Sequence, residues 1–473
     1  MNLVKRLGIS LGLLMAIPAV AQEAPPQLIS INVAGAGFAG HVLPGKVGTN
    51  FFFPKDGYFA KWSDRGIKTV RFSFKWERLQ PKAMGEFDPG YAALIDKALD
   101  QAGANGIHVL LDIHNYGRYY GDIVGDKVPM DAYRNLMERI ALRWGNNPAV
   151  YAYDIMNEPH GGADKYWFEM AQTGIDAIRK YDRKNTLYIE GRRYSSAYHW
   201  PKYNDDLLNL KDPSDNIVYS AHMYVDQNSS GLYKEAIGEG SYMPDPMVGV
   251  NRLKPFVEWL ERNGKRGHIG EFGLPGDHPR WLEILENTLT YLQQNCIPVS
   301  YWAAGEYWGK NYPVSIEPEK DGKDKPQWLI MKKYLGTGGC SAIGPKKVAD
   351  KGTDSGKETS GPVNPTNPGK PETPASTSPA QPISSSKPAT PVVTAPSVPN
   401  DSTETPPASN DANAEVPTAQ PVASAPTATT PATNRSSAGQ ATSGSSGPTG
   451  PQWNGQREWA GKDAPAYQTI GSQ

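Results

Sequence analysis

The chain has 473 residues and a formal net charge of −1, from 48 Lys and Arg against 49 Asp and Glu. There is no global excess of positive charge to attract nucleic acid or an anionic membrane surface, so neither is expected as a partner. The length exceeds the ~250 residues that a single α/β barrel uses, which leaves room for a second kind of segment.

The chain opens with Lys5 and Arg6, an apolar run over residues 7–17 and then Ala19-Val20-Ala21. A basic start, a short apolar stretch and an A-x-A site describe a secretory signal over residues 1–21. The apolar run is well short of the ~20 residues that span a bilayer. The mature protein is therefore expected to be secreted, extracellular or periplasmic, with no membrane attachment after signal removal, and monomeric.

From residue 28 to 342 the sequence alternates between strand and helix patterns. Apolar, β-rich runs lie at 28–33, 69–74, 108–114, 150–156, 186–190, 217–224, 267–272 and 299–303. Helical periodicity appears at 91–104, 131–144, 165–181, 250–263 and 280–294. Leu94, Ala98 and Leu99 in the first helix, and Leu282, Leu285, Leu289 and Leu292 in the last, have the spacing of one buried face. Eight strands alternating with helices predict a parallel sheet closed into a (β/α)₈ TIM barrel, with the least certain links around strands five and six. Cys296 and Cys340 could pair and tie the last strand–helix unit to the domain end, or stay as two buried thiols; two isolated cysteines do not make a metal site. Beyond Gly344 the composition turns to Pro, Thr, Ser, Ala, Gly and Asn, and residues 345–473 are expected to form a long disordered tail.

In a parallel barrel the βα loops converge at the carboxyl ends of the strands, so chemistry is sought there. Strand two ends near Arg71; Asp112-Ile113-His114-Asn115-Tyr116 leaves strand three; Asp154-Ile155-Met156-Asn157-Glu158-Pro159 leaves strand four. His222-Met223-Tyr224 ends strand six, Gly270-Glu271-Phe272-Gly273 strand seven and Tyr301-Trp302 strand eight. Two glutamates on one rim, among Arg, His, Asn, Tyr and Trp, suit cleavage of an acetal. Such cleavage needs a proton for a poor leaving group and negative charge beneath an oxocarbenium-like centre. Arg71 within hydrogen-bonding range would favour an ionised Glu271, and Glu158, partly buried beside it, would carry the proton. Strands four and seven face one another across a small barrel, so the two carboxyls could approach to ~5–5.5 Å, the separation of a retaining glycosidase. Asn157 could bond the sugar 2-hydroxyl, and Trp302 offers a flat face to a pyranose ring. No metal or other cofactor is needed for this chemistry.

Asn157-Glu158-Pro159 after an apolar strand, followed later by Gly270-Glu271-Phe272-Gly273, resembles family 5 of the glycoside hydrolases, and within it the secreted endo-β-1,4-glucanases. The segments 112–116, 155–160 and 222–231 carry the same resemblance, which covers the chain from about residue 32 to 335. It implies that Glu158 is the acid/base and Glu271 the nucleophile. It also implies that Arg71, His114, Asn157, His222, Tyr224 and Trp302 surround them, that Trp200 is a sugar platform, and that the substrate is a β-1,4-glucan. The same mechanism acting on β-mannan, xyloglucan or mixed-linkage glucan is the alternative, with a non-catalytic glycan-binding barrel further behind.

Several features compete with this reading. Gly35-Ala36-Gly37-Phe38-Ala39-Gly40 fits G-x-G-x-x-G, but loop residues and not a helix follow it, so a first βα loop is expected rather than a dinucleotide site. Glu190 also ends a strand but lacks a preceding Asn, and a structural or loop-anchoring role is expected. Asn228-Ser229-Ser230 is a glycosylation sequon only in a host that uses one. Glu77, Asp226 and Glu306 are rim residues without an assigned role.

Overall fold

The computed structural model describes residues 27–345 apart from 235–236, 238–241 and 310. The signal and the tail beyond residue 345 lie outside the described residues. Eight parallel strands close a barrel: β1 (Ile29–Val33), β2 (Thr69–Phe74), β3 (His108–Ile113), β4 (Val150–Asp154), β5 (Thr186–Glu190), β6 (Ile217–His222), β7 (Gly267–Phe272) and β8 (Val299–Ala304). Each pairs with its sequence neighbours, and β8 closes on β1 through Ile29↔Val299 and Ser30↔Ser300. The expected barrel is present. Strands three, four and six end one or two residues before the apolar runs do, because those last residues already turn towards the site.

The helices form where an apolar stripe meets good end signals. In α1 (Tyr58–Asp64) Tyr58, Phe59 and Trp62 are buried. The side chain of Asp88 caps α2 (Pro89–Ala104) by accepting the Tyr91 N–H, and proline takes the first position, where its missing N–H costs nothing. Its buried face is Tyr91, Ile95, Ala98, Leu99 and Ala102; Leu94, expected in that face, lies at its edge. α3 (Met130–Trp144) and α4 (Trp167–Arg179) follow. α5 (Val248–Asn263) stops at Gly264, whose φ of 59° suits a residue without a Cβ. α6 (Pro279–Gln294) buries Leu285, Leu289 and Leu292, and α7 (Pro326–Met331) closes the ring.

One link breaks the alternation. Between β5 and β6 there is no full helix; short turns at Arg192–Ser195, Trp200–Tyr203 and Asp205–Asn209 cover that face instead. They are held down by Trp259 of α5, which donates to Asp205 at 2.7 Å. At the amino-terminal end of the strands, Leu110, Ala152, Tyr188 and Val218 plug the barrel interior, with Ile343 packed beneath them. Cys296 and Cys340 form a disulfide at this end, settling the choice that the sequence leaves open.

Candidate active site

Strand alternation places every second side chain inside the barrel. Two residues above the apolar plug, those positions become Asp112, Asp154, Glu190 and Ser220, followed by His222. Arg71 rises from β2 into their midst and is fully buried. Its Nε donates to Asp154 at 2.9 Å, and Nη2 donates to Asn157 at 2.7 Å and to Glu190 at 3.0 Å. Nη1 donates to Asn32 at 3.0 Å and to Glu271 at 3.1 Å, and lies 3.1 Å from Asp112. A buried guanidinium is stable only with its donors satisfied by opposite charge. Here one cation fixes partners from β1, β3, β4, β5 and β7. Burial and the charge of Glu190 push the Asp154 carboxyl well above the usual range despite Arg71.

Glu271 leaves the end of β7 with both oxygens held: Arg71 donates to Oε1, and the Tyr224 hydroxyl donates to Oε2 at 2.8 Å. His222 Nδ1 stands 3.7 Å from Oε2 as well, and Glu271 lines the cleft. Glu158 stands four residues beyond β4 at a φ of 43°, a left-handed conformation disfavoured for a residue with a side chain. Its N–H donates to Glu190 Oε2 at 2.6 Å, and its Oε1 lies 2.8 Å from His222 Nδ1. One oxygen of Glu158, one of Glu271 and a ring nitrogen of His222 all lie within 4.8 Å of one another.

Such a trio could hold a metal ion by spacing alone, but its histidine is a poor ligand. Burial works against a charge on His222, yet Glu190, Glu271 and the bond to Glu158 outweigh it and raise its pKa to about 10. A protonated imidazole has no lone pair to give, and its other nitrogen faces Glu190 Oε1 at 2.9 Å.

Aromatic side chains wall the cleft, which encloses about 680 Å³ including its open mouth. Trp302 stacks on His114 with ring centroids 5.6 Å apart and donates to the Tyr312 hydroxyl at 2.7 Å. Trp308 stacks on Tyr312 and meets Phe38 edge-on. Lys75 and Tyr116 complete this wall, the lysine donating to the His114 carbonyl at 2.7 Å. His114 is itself oriented by Asp112, 2.8 Å from Nδ1.

The structure thus gathers Glu158, Glu271, Arg71, His114, Asn157, His222, Tyr224 and Trp302 in one place. Trp200 is a correction. It is fully buried against Phe256 and Trp259, on the side of the barrel where β5 and β6 lack a full helix, and has no face to offer a sugar. The glycine-rich segment is the first βα loop: a Cβ at Gly35 would lie 2.7 Å from the Phe52 carbonyl oxygen, and Phe38 of the same loop lines the cleft. Glu77 is buried and accepts from Asn115 and the Tyr120 N–H, while Asp226 accepts from Ser230 and Gly231, so both brace loops. Glu306 sits at the rim against Lys55. Sequence reasoning missed Asn32, Lys75, Phe38, Trp308 and Tyr312. The aromatic density just after strand eight was a usable signal for the last two.

A parallel barrel carrying paired glutamates beneath an aromatic-walled cleft defines a glycoside hydrolase. Residues 30–307 match the family model of the cellulases (glycosyl hydrolase family 5). The probable endo-beta-1,4-glucanase B of Aspergillus oryzae is 32% identical over 315 residues, which is 66% of this chain and 91% of that protein. The endoglucanase Cel5A of Pseudomonas stutzeri, solved in complex with cellobiose, is 44% identical with a TM-score of 0.64, covering 68% of this chain and 95% of its own. An endo-beta-1,4-glucanase of Xanthomonas axonopodis pv. citri is 33% identical with a TM-score of 0.61, covering 65% and 98%. The chain belongs to glycosyl hydrolase family 5, the cellulase family.

Proposed function

We propose that this enzyme is an endo-β-1,4-glucanase that cleaves with retention, with Glu158 as acid/base and Glu271 as nucleophile. The observation that carries the reading is the approach of the two carboxylates to within 4.8 Å across the barrel mouth. So close an oxygen-to-oxygen approach fits the ~5–5.5 Å carboxyl separation of retaining enzymes better than the ~6.5–9.5 Å that leaves room for a water in inverting ones. In the first step the proton of Glu158 passes to the glycosidic oxygen as a Glu271 oxygen bonds the anomeric carbon and the C–O bond breaks. In the second, Glu158, now ionised, takes a proton from water; the water oxygen bonds the anomeric carbon and Glu271 leaves. Arg71 and Tyr224 hold Glu271 in place throughout. With its Oδ1 occupied by Arg71, Asn157 has only its amide N–H₂, which also meets His114 Nε2 at 3.4 Å, to offer the 2-hydroxyl.

The relatives act on β-1,4-glucan by name, and the half-buried Trp302, backed by His114, offers a flat face to a pyranose ring. Export through the signal at residues 1–21 is part of the proposal, and the Cys296–Cys340 disulfide supports an oxidising compartment. Two measurements test it. Proton NMR of early products should give the β-anomer first, and the α-anomer first would overturn retention. Chromatography of digests of cellulose, mannan, xyloglucan and xylan should give glucan oligomers; cleavage of mannan without any glucan would overturn the substrate.

A further inference from the structure

Glu190 ends β5, fully buried and behind the cleft wall. Its carboxylate nevertheless meets Glu158 by two routes. Oε2 accepts the Glu158 N–H at 2.6 Å, which pins the main chain where φ is 43°. Oε1 lies 2.9 Å from His222 Nε2, and the other nitrogen of that ring lies 2.8 Å from Glu158 Oε1. Oε1 also accepts from Arg71 Nη2 at 3.0 Å, so the carboxylate cannot swing away without giving up a charge-assisted bond. A left-handed residue with a side chain persists only where its surroundings over-determine it. Here the bond to its own N–H comes from the group that also orients the imidazole on its carboxyl.

We infer that Glu190 is a positioning residue that aims the Glu158 carboxyl at the leaving-group oxygen, fixing its main chain directly and its side chain through His222. The inference rests on the acid/base role given to Glu158. It has a definite chemical consequence. With His222 Nδ1 set 2.8 Å from Oε1, the transferable proton is assigned to Oε2, the oxygen that His222 does not meet. Loss of Glu190 should misplace proton donation while leaving the Glu271 attack intact.

That asymmetry separates positioning from simple scaffolding. A cello-oligosaccharide needs a proton on its leaving oxygen, whereas 2,4-dinitrophenolate leaves without one. The kcat/KM for each, which reports formation of the glycosyl-enzyme, is measured for the wild type, Glu190→Gln and Glu158→Gln using cellopentaose and 2,4-dinitrophenyl β-cellobioside. Glu190→Gln should lose about 10²-fold on cellopentaose, within the range of general acid catalysis, and remain within about threefold on the aryl substrate, the same bias as Glu158→Gln. An equal loss on both substrates, or no loss on either, would overturn the inference. If Glu190→Gln does not fold by circular dichroism, Glu190→Asp, which keeps the charge but draws it back, must show the same bias. Should Glu158→Gln itself show no leaving-group bias, the acid/base reading fails; bias in Glu158→Gln alone defeats only the role of Glu190.

Discussion

The two ends of the barrel interior are built by the same strands with opposite chemistry. At the base, Leu110, Ala152, Tyr188 and Val218 fill the space with apolar groups. Two residues further along β3, β4, β5 and β6 stand Asp112, Asp154, Glu190 and Ser220, with Arg71 reaching in from β2. Both layers are equally dry. The lower one is stable through packing, where any group of the right volume and shape is acceptable. The upper one exists only because each buried charge has a partner, and buried ion clusters of this kind are often replaceable by well-packed apolar groups of similar volume without loss of stability, at the expense of the chemistry. A midpoint layer of Ser30, Ser300 and His268, linked by hydrogen bonds of 2.6 and 3.0 Å, reaches the upper one through Ser220 at 3.0 Å.

The contrast breaks if a substitution at the top damages stability as much as activity, or one at the base does the reverse. The largest effect belongs to Glu271→Gln, which should cost roughly 10⁴-fold or more in kcat. Its thermal midpoint should hold or rise, since one of the four acids crowded around Arg71 is removed; calorimetry and rates on the same sample decide it. At the base, Tyr188→Ala should lose about 3–5 kcal/mol of stability in urea unfolding, the cost of a cavity at a packed ring. Its kcat/KM below the transition should match the wild type. A 44-residue separation joins Cys296 to Cys340, and replacing both with serine should cost about 2–4 kcal/mol by freeing the unfolded chain, again with activity unchanged.

The smallest effect concerns pH and the midpoint layer. Burial, then the charges of Arg71 and His222, hold the His268 pKa well below its ordinary 6.5. A folded value below the unfolded one means that its contribution is fully present above 6.5 and is lost as pH falls from there towards the folded value. His222 runs the other way: its contribution is complete below 6.5 and is lost as pH rises towards about 10. His268→Asn should flatten the acid side of the stability curve by less than one proton's slope and leave the alkaline side alone. An unchanged acid slope would place the titration elsewhere.

Much of this was readable in the sequence. The eight strands could be located because each combines a β-branched or aromatic run with a turn, and the acids could be located because the strand ends are fixed by that pattern. Glu158 and Glu271 stand out by their place near strand ends and by the segments Asn157-Glu158-Pro159 and Gly270-Glu271-Phe272-Gly273 that carry the family resemblance. The partners of Arg71 could not be read, as they depend on register and on irregularities such as the shift between Ala221 and His222 against β7. Trp200 misled for another reason. Its platform role came from the family resemblance alone, but between β5 and β6 there is no full helix, and the indole packs into that face against Phe256 and Trp259. The left-handed backbone at Glu158 has no sequence signature at all, because it is imposed by Glu190 from another strand.

The reach of Arg71 across the barrel has an evolutionary side. Its guanidinium is braced from strand to strand, and Glu271 is held by it directly, while most aromatics of the cleft wall come from loops, Trp302 of β8 excepted. The loop after β8 carries Trp308 and Tyr312 but none of the residues that touch the two carboxyls. Grafting that loop alone from another member of the family should alter which polymer is accepted without retuning the carboxylates. Drift in the strands has no such freedom, since a slip of one register position would undo the whole charge set at once.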